Sequence, residues 1–132
     1  MIIKIRPDKE RVKSMLRLIE NREEIIASGT LGRFPTFLAE SYYEVIKELA
    51  ICILLLDGFK SIGENAHKEA LEYLQKYKEF SEDELFLMND LRIRRNKSSY
   101  EGKMIDESFI ENHEMKLKMI IKKLKRILND KL

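Results

Sequence analysis

The stretch Phe37-Leu38-Ala39-Glu40-Ser41-Tyr42-Tyr43-Glu44-Val45-Ile46-Lys47-Glu48-Leu49-Ala50-Ile51-Cys52-Ile53-Leu54-Leu55-Leu56 decides the fold. Phe37, Leu38, Tyr42, Val45, Ile46, Leu49, Ile53 and Leu56 recur at helical spacing and define one broad apolar face. From Leu49 to Leu56 the helix is apolar all the way round, which requires burial on more than one side. Two arrangements satisfy that requirement: a central helix of a bundle, or a helix with one face in the core and the other in a subunit contact. Thr36 is the expected cap, and the helix is expected to reach about Lys60. Eight consecutive apolar residues fall far short of the roughly 18–20 needed to span a bilayer, so no membrane association is expected.

The flanking sequence carries four more helical segments. Asp8 can cap a first helix, with Pro7 blocking upstream extension, Val12, Met15, Leu16, Ile19 and Ile26 facing inward, and Ser28-Gly29 closing it. Gly58 and Gly63 bracket a turn. A third helix starts near Glu64-Asn65 and carries Ala66, Ala70, Leu71, Leu74 and Tyr77 inward. Ser81-Glu82-Asp83-Glu84 has the form of a capping box, in which serine and glutamate satisfy each other's amides at the head of a fourth helix. That helix carries Leu85, Met88 and Leu91 and ends near Ser99 to Gly102. Asp106 can cap a fifth, whose core stripe is Ile110, Leu117, Ile120, Ile121, Leu124 and Leu128. No segment has strand periodicity. The expected architecture is all-α: an antiparallel, up-and-down bundle of four or five helices in a single domain over residues 1–132.

Composition agrees with this. The chain has 132 residues, enough for a core without disulfides or metal, and its five Gly and two Pro favour long helices over many turns. The formal net charge of +2 excludes a globally basic nucleic-acid binder, so any basic surface must be local. Cys52, the only cysteine, reads as a buried structural thiol. The start Met1–Pro7 lacks the apolar core and cleavage site of a signal peptide, and a cytoplasmic location is expected. There is no GxxxxGK[ST] loop, GxGxxG, HExxH or paired-cysteine site, so neither a metal nor a cofactor is expected. His67 and His113 read as helix-surface or half-buried residues, and Asp57-Gly58 as a helix-end turn. The cations of the last helix (Lys116, Lys118, Lys122, Lys123, Lys125, Arg126) read as a solvated face.

The candidate site is the run Leu91-Arg92-Ile93-Arg94-Arg95-Asn96-Lys97-Ser98-Ser99-Tyr100-Glu101-Gly102. Arginine forks bind phosphate bidentately, and Asn, Ser and Tyr can donate to or orient a phosphodiester. Arg92, Arg94, Arg95, Lys97, Ser98 and Ser99 are therefore the candidate nucleotide- or RNA-binding residues. Arg95 and Tyr100 stand about 140° apart on an ideal helix. They converge only if the helix ends between them or a second subunit contributes. The competing reading is a solvated helix end whose cations favour the C-terminal dipole, with Tyr100 packed on the core.

The stretch from Ser41 through Gly58 to Ala66-His67-Lys68, followed by Arg95-Asn96-Lys97-Ser98-Ser99-Tyr100, resembles the HEPN superfamily over roughly residues 36–129. Arg95-Asn96 falls where that family carries its Arg-Asn-x-x-x-His signature, and Tyr100 stands at the histidine position. The resemblance implies a helical bundle that dimerises and brings both copies of the signature into one cleft. In active members that cleft cuts RNA without metal, as the toxin of a toxin–antitoxin pair whose antitoxin is an MNT-type nucleotidyltransferase. It also implies Arg95, Asn96 and Tyr100 as the catalytic positions. A phenol titrating near ~10 is a poor base at neutral pH. The expected function is thus a homodimer that binds RNA, a nucleotide or the nucleotidyltransferase, with weak or no catalysis. The alternative is an active metal-independent endoribonuclease.

Overall fold

The computed structural model describes residues 1–132 and contains five helices and one small sheet. In chain order these are β1 (Ile2–Lys4), α1 (Lys9–Ala27), α2 (Pro35–Asp57), β2 (Phe59–Ser61), α3 (Ala66–Tyr73) continued by a 3-10 turn (Leu74–Lys76), α4 (Glu82–Glu101) and α5 (Glu107–Lys131). The molecule is a helical bundle. α2 is its centre, packing against α1, α3, α4, α5 and β2. Leu49, Ala50, Cys52, Ile53, Leu54 and Leu55 are all buried, as the all-round apolar stretch requires. No helix is long and apolar enough to cross a membrane.

The chemistry of the helix ends explains their positions. Asp8 accepts from the Arg11 amide at 3.0 Å and caps α1. The capping box of α4 is formed in both directions: the Glu84 amide donates to Ser81 Oγ at 3.1 Å, and the Ser81 amide donates to Glu84 Oε1 at 2.9 Å. Glu84 also receives Lys123 Nζ from α5 at 2.7 Å, so the start of α4 is fixed to the last helix. Gly102, at φ 69°, closes α4 in the left-handed region.

Four expectations need correction. α2 stops at Asp57 rather than near Lys60, because Gly58 adopts φ 87° and its carbonyl accepts from the Ile5 amide at 2.9 Å. A Cβ at Gly58 would lie 3.2 Å from the Ile5 carbonyl, so glycine is required there. Thr36 does not cap α2: Phe34 holds that position with Pro35 following. Thr36 Oγ1 instead accepts from the Ile105 amide at 2.9 Å, tying the α4–α5 connection to α2. Phe37 points outward rather than into the core. Lastly, the chain is not purely helical. Ile2–Lys4 pairs antiparallel with Phe59–Ser61, Ile3 opposite Lys60. Three-residue strands are too short to show alternation, and they pair segments at opposite ends of α1 and α2.

Candidate functional site

No Gly or Pro interrupts Glu82–Glu101, so α4 continues as regular helix through the whole basic run. The run is therefore divided by helical phase rather than gathered into a loop. Arg95 and Ser98 fall on the side that meets α2. Arg92, Ile93, Asn96, Lys97 and Tyr100 fall on the flanks or the outside.

On the inner side, Arg95 Nη2 bonds Glu44 Oε1 at 3.2 Å, and its guanidinium lies 5.5 Å from the centre of the Tyr43 ring. Arg95 Nη1 reaches Asn96 Oδ1 at 3.5 Å. Ser98 and Ser99, expected to face a phosphodiester, donate instead to Glu40 Oε2 at 2.9 and 3.4 Å. Glu44 also holds Lys47 Nζ at 2.7 Å. Burial pushes the Glu44 carboxyl up, but the Lys47 bond and the charges of Lys47, Arg95 and Arg22 together hold it below its usual range. Burial raises the Tyr43 phenol to about 12 despite the lowering pull of Arg95. Arg95 is thus an ion-paired residue whose charge is partly neutralised before any ligand arrives.

The outer side differs. Arg92 donates to Asn89 Oδ1 at 3.0 and 3.2 Å, a neutral partner that leaves its charge uncompensated. Arg94 pairs with Asp90 at 3.0 Å and lies over Phe109, 4.6 Å from the ring centre. Lys97 is exposed and has no partner in the chain. Tyr100 is 79% exposed, which overturns the expectation that it packs on the core. No cation sits in the last turn of α4, so the run does not serve that helix end's dipole. Because the helix does not end between Arg95 and Tyr100, the two leave α4 about 140° apart, Arg95 towards α2 and Tyr100 towards solvent.

Phe86, Ile93 and Tyr100 share this outer side at intervals of seven residues and are 72%, 38% and 79% exposed. Seven residues are nearly two full turns, so the three side chains form one stripe about 21 Å long. Glu82, Asp83, Glu84, Asp90 and Arg92 precede its midpoint at Ile93, and Arg94, Arg95, Lys97 and Glu101 follow it.

The structure adds residues that sequence spacing could not assemble. Glu40, Glu44 and Lys47 of α2 lie under the α4 run. His67, near the start of α3, feels the same charges: burial and then Lys47 push its imidazole below the ordinary value of 6.5, Glu44 opposes them, and Arg95 adds a lesser lowering. Asp57 also exceeds the plain helix-end role, because it accepts from Tyr73, Tyr77 and Lys131 at 2.5, 2.8 and 2.6 Å. Cys52 is buried, with its thiol raised to about 12 mainly by burial, as befits an inert core residue. No group of three or more His, Cys, Asp or Glu side chains is placed to hold a metal ion. No protein-family model, curated protein or solved structure matches the chain.

Proposed function

We propose that the chain is a HEPN-like protein of toxin–antitoxin type that pairs with a second copy along α4 and binds RNA across the paired helices, with weak or no catalysis. The observation that carries this reading is the exposed stripe Phe86, Ile93, Tyr100 with Asn96 and Lys97 beside it. The stripe is self-complementary. An antiparallel partner with its two-fold axis at Ile93 sets Phe86 against Tyr100 of the partner subunit, and Ile93 against its own copy. The same register sets Asp90 of each helix near Lys97 of the partner subunit. Arg92, Asn96, Lys97 and Tyr100 from both copies then surround one axis. That gives cations for phosphates and phenol rings on which bases can stack. An MNT-type nucleotidyltransferase as the partner antitoxin belongs to the same reading.

Fluorescence anisotropy with a labelled single-stranded RNA in EDTA tests it. Lys97→Ala is expected to weaken binding several-fold and to reduce its salt dependence, since a phosphate contact releases counterions. Arg95→Ala is expected to change affinity less, because Glu44 already occupies that guanidinium. Equal affinity for wild type and Lys97→Ala would remove the RNA reading.

A second reading, an active metal-independent endoribonuclease, is favoured by the closeness of His67 to the charges of Lys47, Glu44 and Arg95 under the α4 run. Arg95 would then stabilise the phosphorane, Asn96 orient it, Tyr100 donate to it, and His67 supply the base that Tyr100 cannot. RNA cleavage in EDTA that is abolished by both His67→Ala and Arg95→Ala would establish this. Intact RNA in every sample rejects it.

A further inference from the structure

A second concave surface shares no residue with the α4 site. It lies between the C-terminal half of α1 and the length of α5, over Tyr42 of α2, and encloses about 790 Å³. That is within the range of small-molecule sites. Ile26, Ala27 and Ile121 supply its apolar lining. Two features of opposite sign meet in it.

The first is a row of cations. Lys118, Lys122 and Arg126 line the groove at successive turns of α5, about 6 Å apart along the axis. None has an ion-pair or hydrogen-bond partner in the chain, whereas their neighbours Lys123 and Lys125 are paired with Glu84 and Glu23. The second feature is an unmet acceptor. Glu23 takes Lys125 Nζ on Oε2 at 3.1 Å, but its Oε1 is buried with no partner. A carboxylate oxygen without a donor is costly, and the rest of the Glu23 carboxylate reaches the groove wall, its side chain 28% exposed. Nearby, Glu114 accepts the Tyr42 hydroxyl at 2.7 Å, which fixes that part of the wall.

An extended polyanion would satisfy the cations but would bring its phosphates against Glu23, Glu114 and Asp130, which line the same groove. A compact molecule with an anion at one end and donors at the other satisfies both demands. We propose that the α1–α5 groove binds a small organic phosphate, its phosphate held by Lys118, Lys122 and Arg126 and a hydroxyl or amino group donated to Glu23. Lysine and arginine supply charge-assisted bonds to the phosphate, and the isoleucines cover the organic part. A nucleotide and a sugar phosphate both carry this chemistry.

Titration of the ¹⁵N-labelled full chain with AMP, ribose 5-phosphate, adenosine and inorganic phosphate tests the proposal and separates the two sources. AMP and ribose 5-phosphate are expected to shift the amides of Glu23–Ala27 and of α5 from Lys118 to Asp130, with adenosine and inorganic phosphate much weaker. Tighter AMP identifies a nucleotide, and equal affinity identifies a sugar phosphate. The double substitution Lys122→Glu/Arg126→Glu should weaken the better ligand by roughly tenfold or more. Lys116→Glu, on the same helix outside the groove, should leave it unchanged, and thermal melts check that each variant folds. No shift at millimolar ester, shifts confined to Arg92–Lys97, or adenosine binding as well as AMP would each overturn the proposal. Shifts at Arg92–Lys97 would leave the α4 reading standing, so the two ideas fail separately.

Discussion

Ile53→Ala is expected to lower the unfolding free energy by about 3–5 kcal/mol, the upper part of the range for deleting a buried branched side chain. Ile53 is fully buried in α2, and α2 is the helix on which every other helix packs. Truncation there opens a cavity that neighbours on several sides cannot all move to fill, so the lost transfer energy is joined by a cavity cost. Leu18→Ala is the matched control. Leu18 lies half-exposed on α1, and its removal should change stability by no more than about 0.5 kcal/mol. Urea unfolding of the two variants beside wild type reads both numbers. Similar small losses for both would mean that α2 is not the core of the fold.

Asp57→Ala is expected to cost about 2–4 kcal/mol, a large effect for one polar residue. Asp57 sits where α2 ends and gathers donors from three places: Tyr73 at the end of α3, Tyr77 after the 3-10 turn, and Lys131 in the last turn of α5. Lys76 adds a second cation at 3.5 Å. Removing the carboxylate leaves an ammonium and two phenols without their acceptor at a half-buried corner, which costs more than the lost bonds themselves. Burial pushes the Asp57 carboxyl up, but the bonds from Lys131, Tyr73 and Tyr77 outweigh it and hold the group below its ordinary 3.8. The unfolded chain therefore takes up this proton first as pH falls. The stabilisation is complete above the ordinary value and disappears as pH drops through it towards the folded value. Melting temperature against pH should show a steeper acid limb in wild type than in Asp57→Asn. Parallel limbs would show that the cluster contributes nothing through its charge.

Much of this fold is legible in the sequence, because long helices advertise themselves by period and by their ends. The all-round apolar run required α2 to be buried on more than one side, which its central position meets, and Ser81 with Glu84 marked the head of α4. The three-residue strands were illegible for the opposite reason: they carry no period and pair across two helices. Thr36 was misread because a threonine ahead of an apolar run has the form of a cap, whereas its real partner, Ile105, is 69 residues away.

The candidate site could be marked in the sequence by composition but not as an arrangement. Arg92 to Tyr100 stood out by composition. That Glu44 claims Arg95 and Glu40 claims Ser98, over separations of 51 and 58 residues, could come only from packing α2 on α4. His67 was set aside as an isolated histidine for the same reason, since its charged neighbours lie on other helices. The unpaired row on α5 was also hidden, because in sequence Lys118, Lys122 and Arg126 look like their paired neighbours Lys123 and Lys125.

The pairing of α4 with a second copy is the claim on which the proposed function turns, since the Phe86, Ile93, Tyr100 stripe is exposed in the single chain. Light scattering coupled to gel filtration at micromolar concentration measures it directly. Wild type should elute with twice the mass of the 15.7 kDa chain, and Ile93→Glu, which places two carboxylates on the axis, should elute as a folded monomer. Wild type at the mass of a single chain, or an Ile93→Glu variant that remains dimeric, would contradict it.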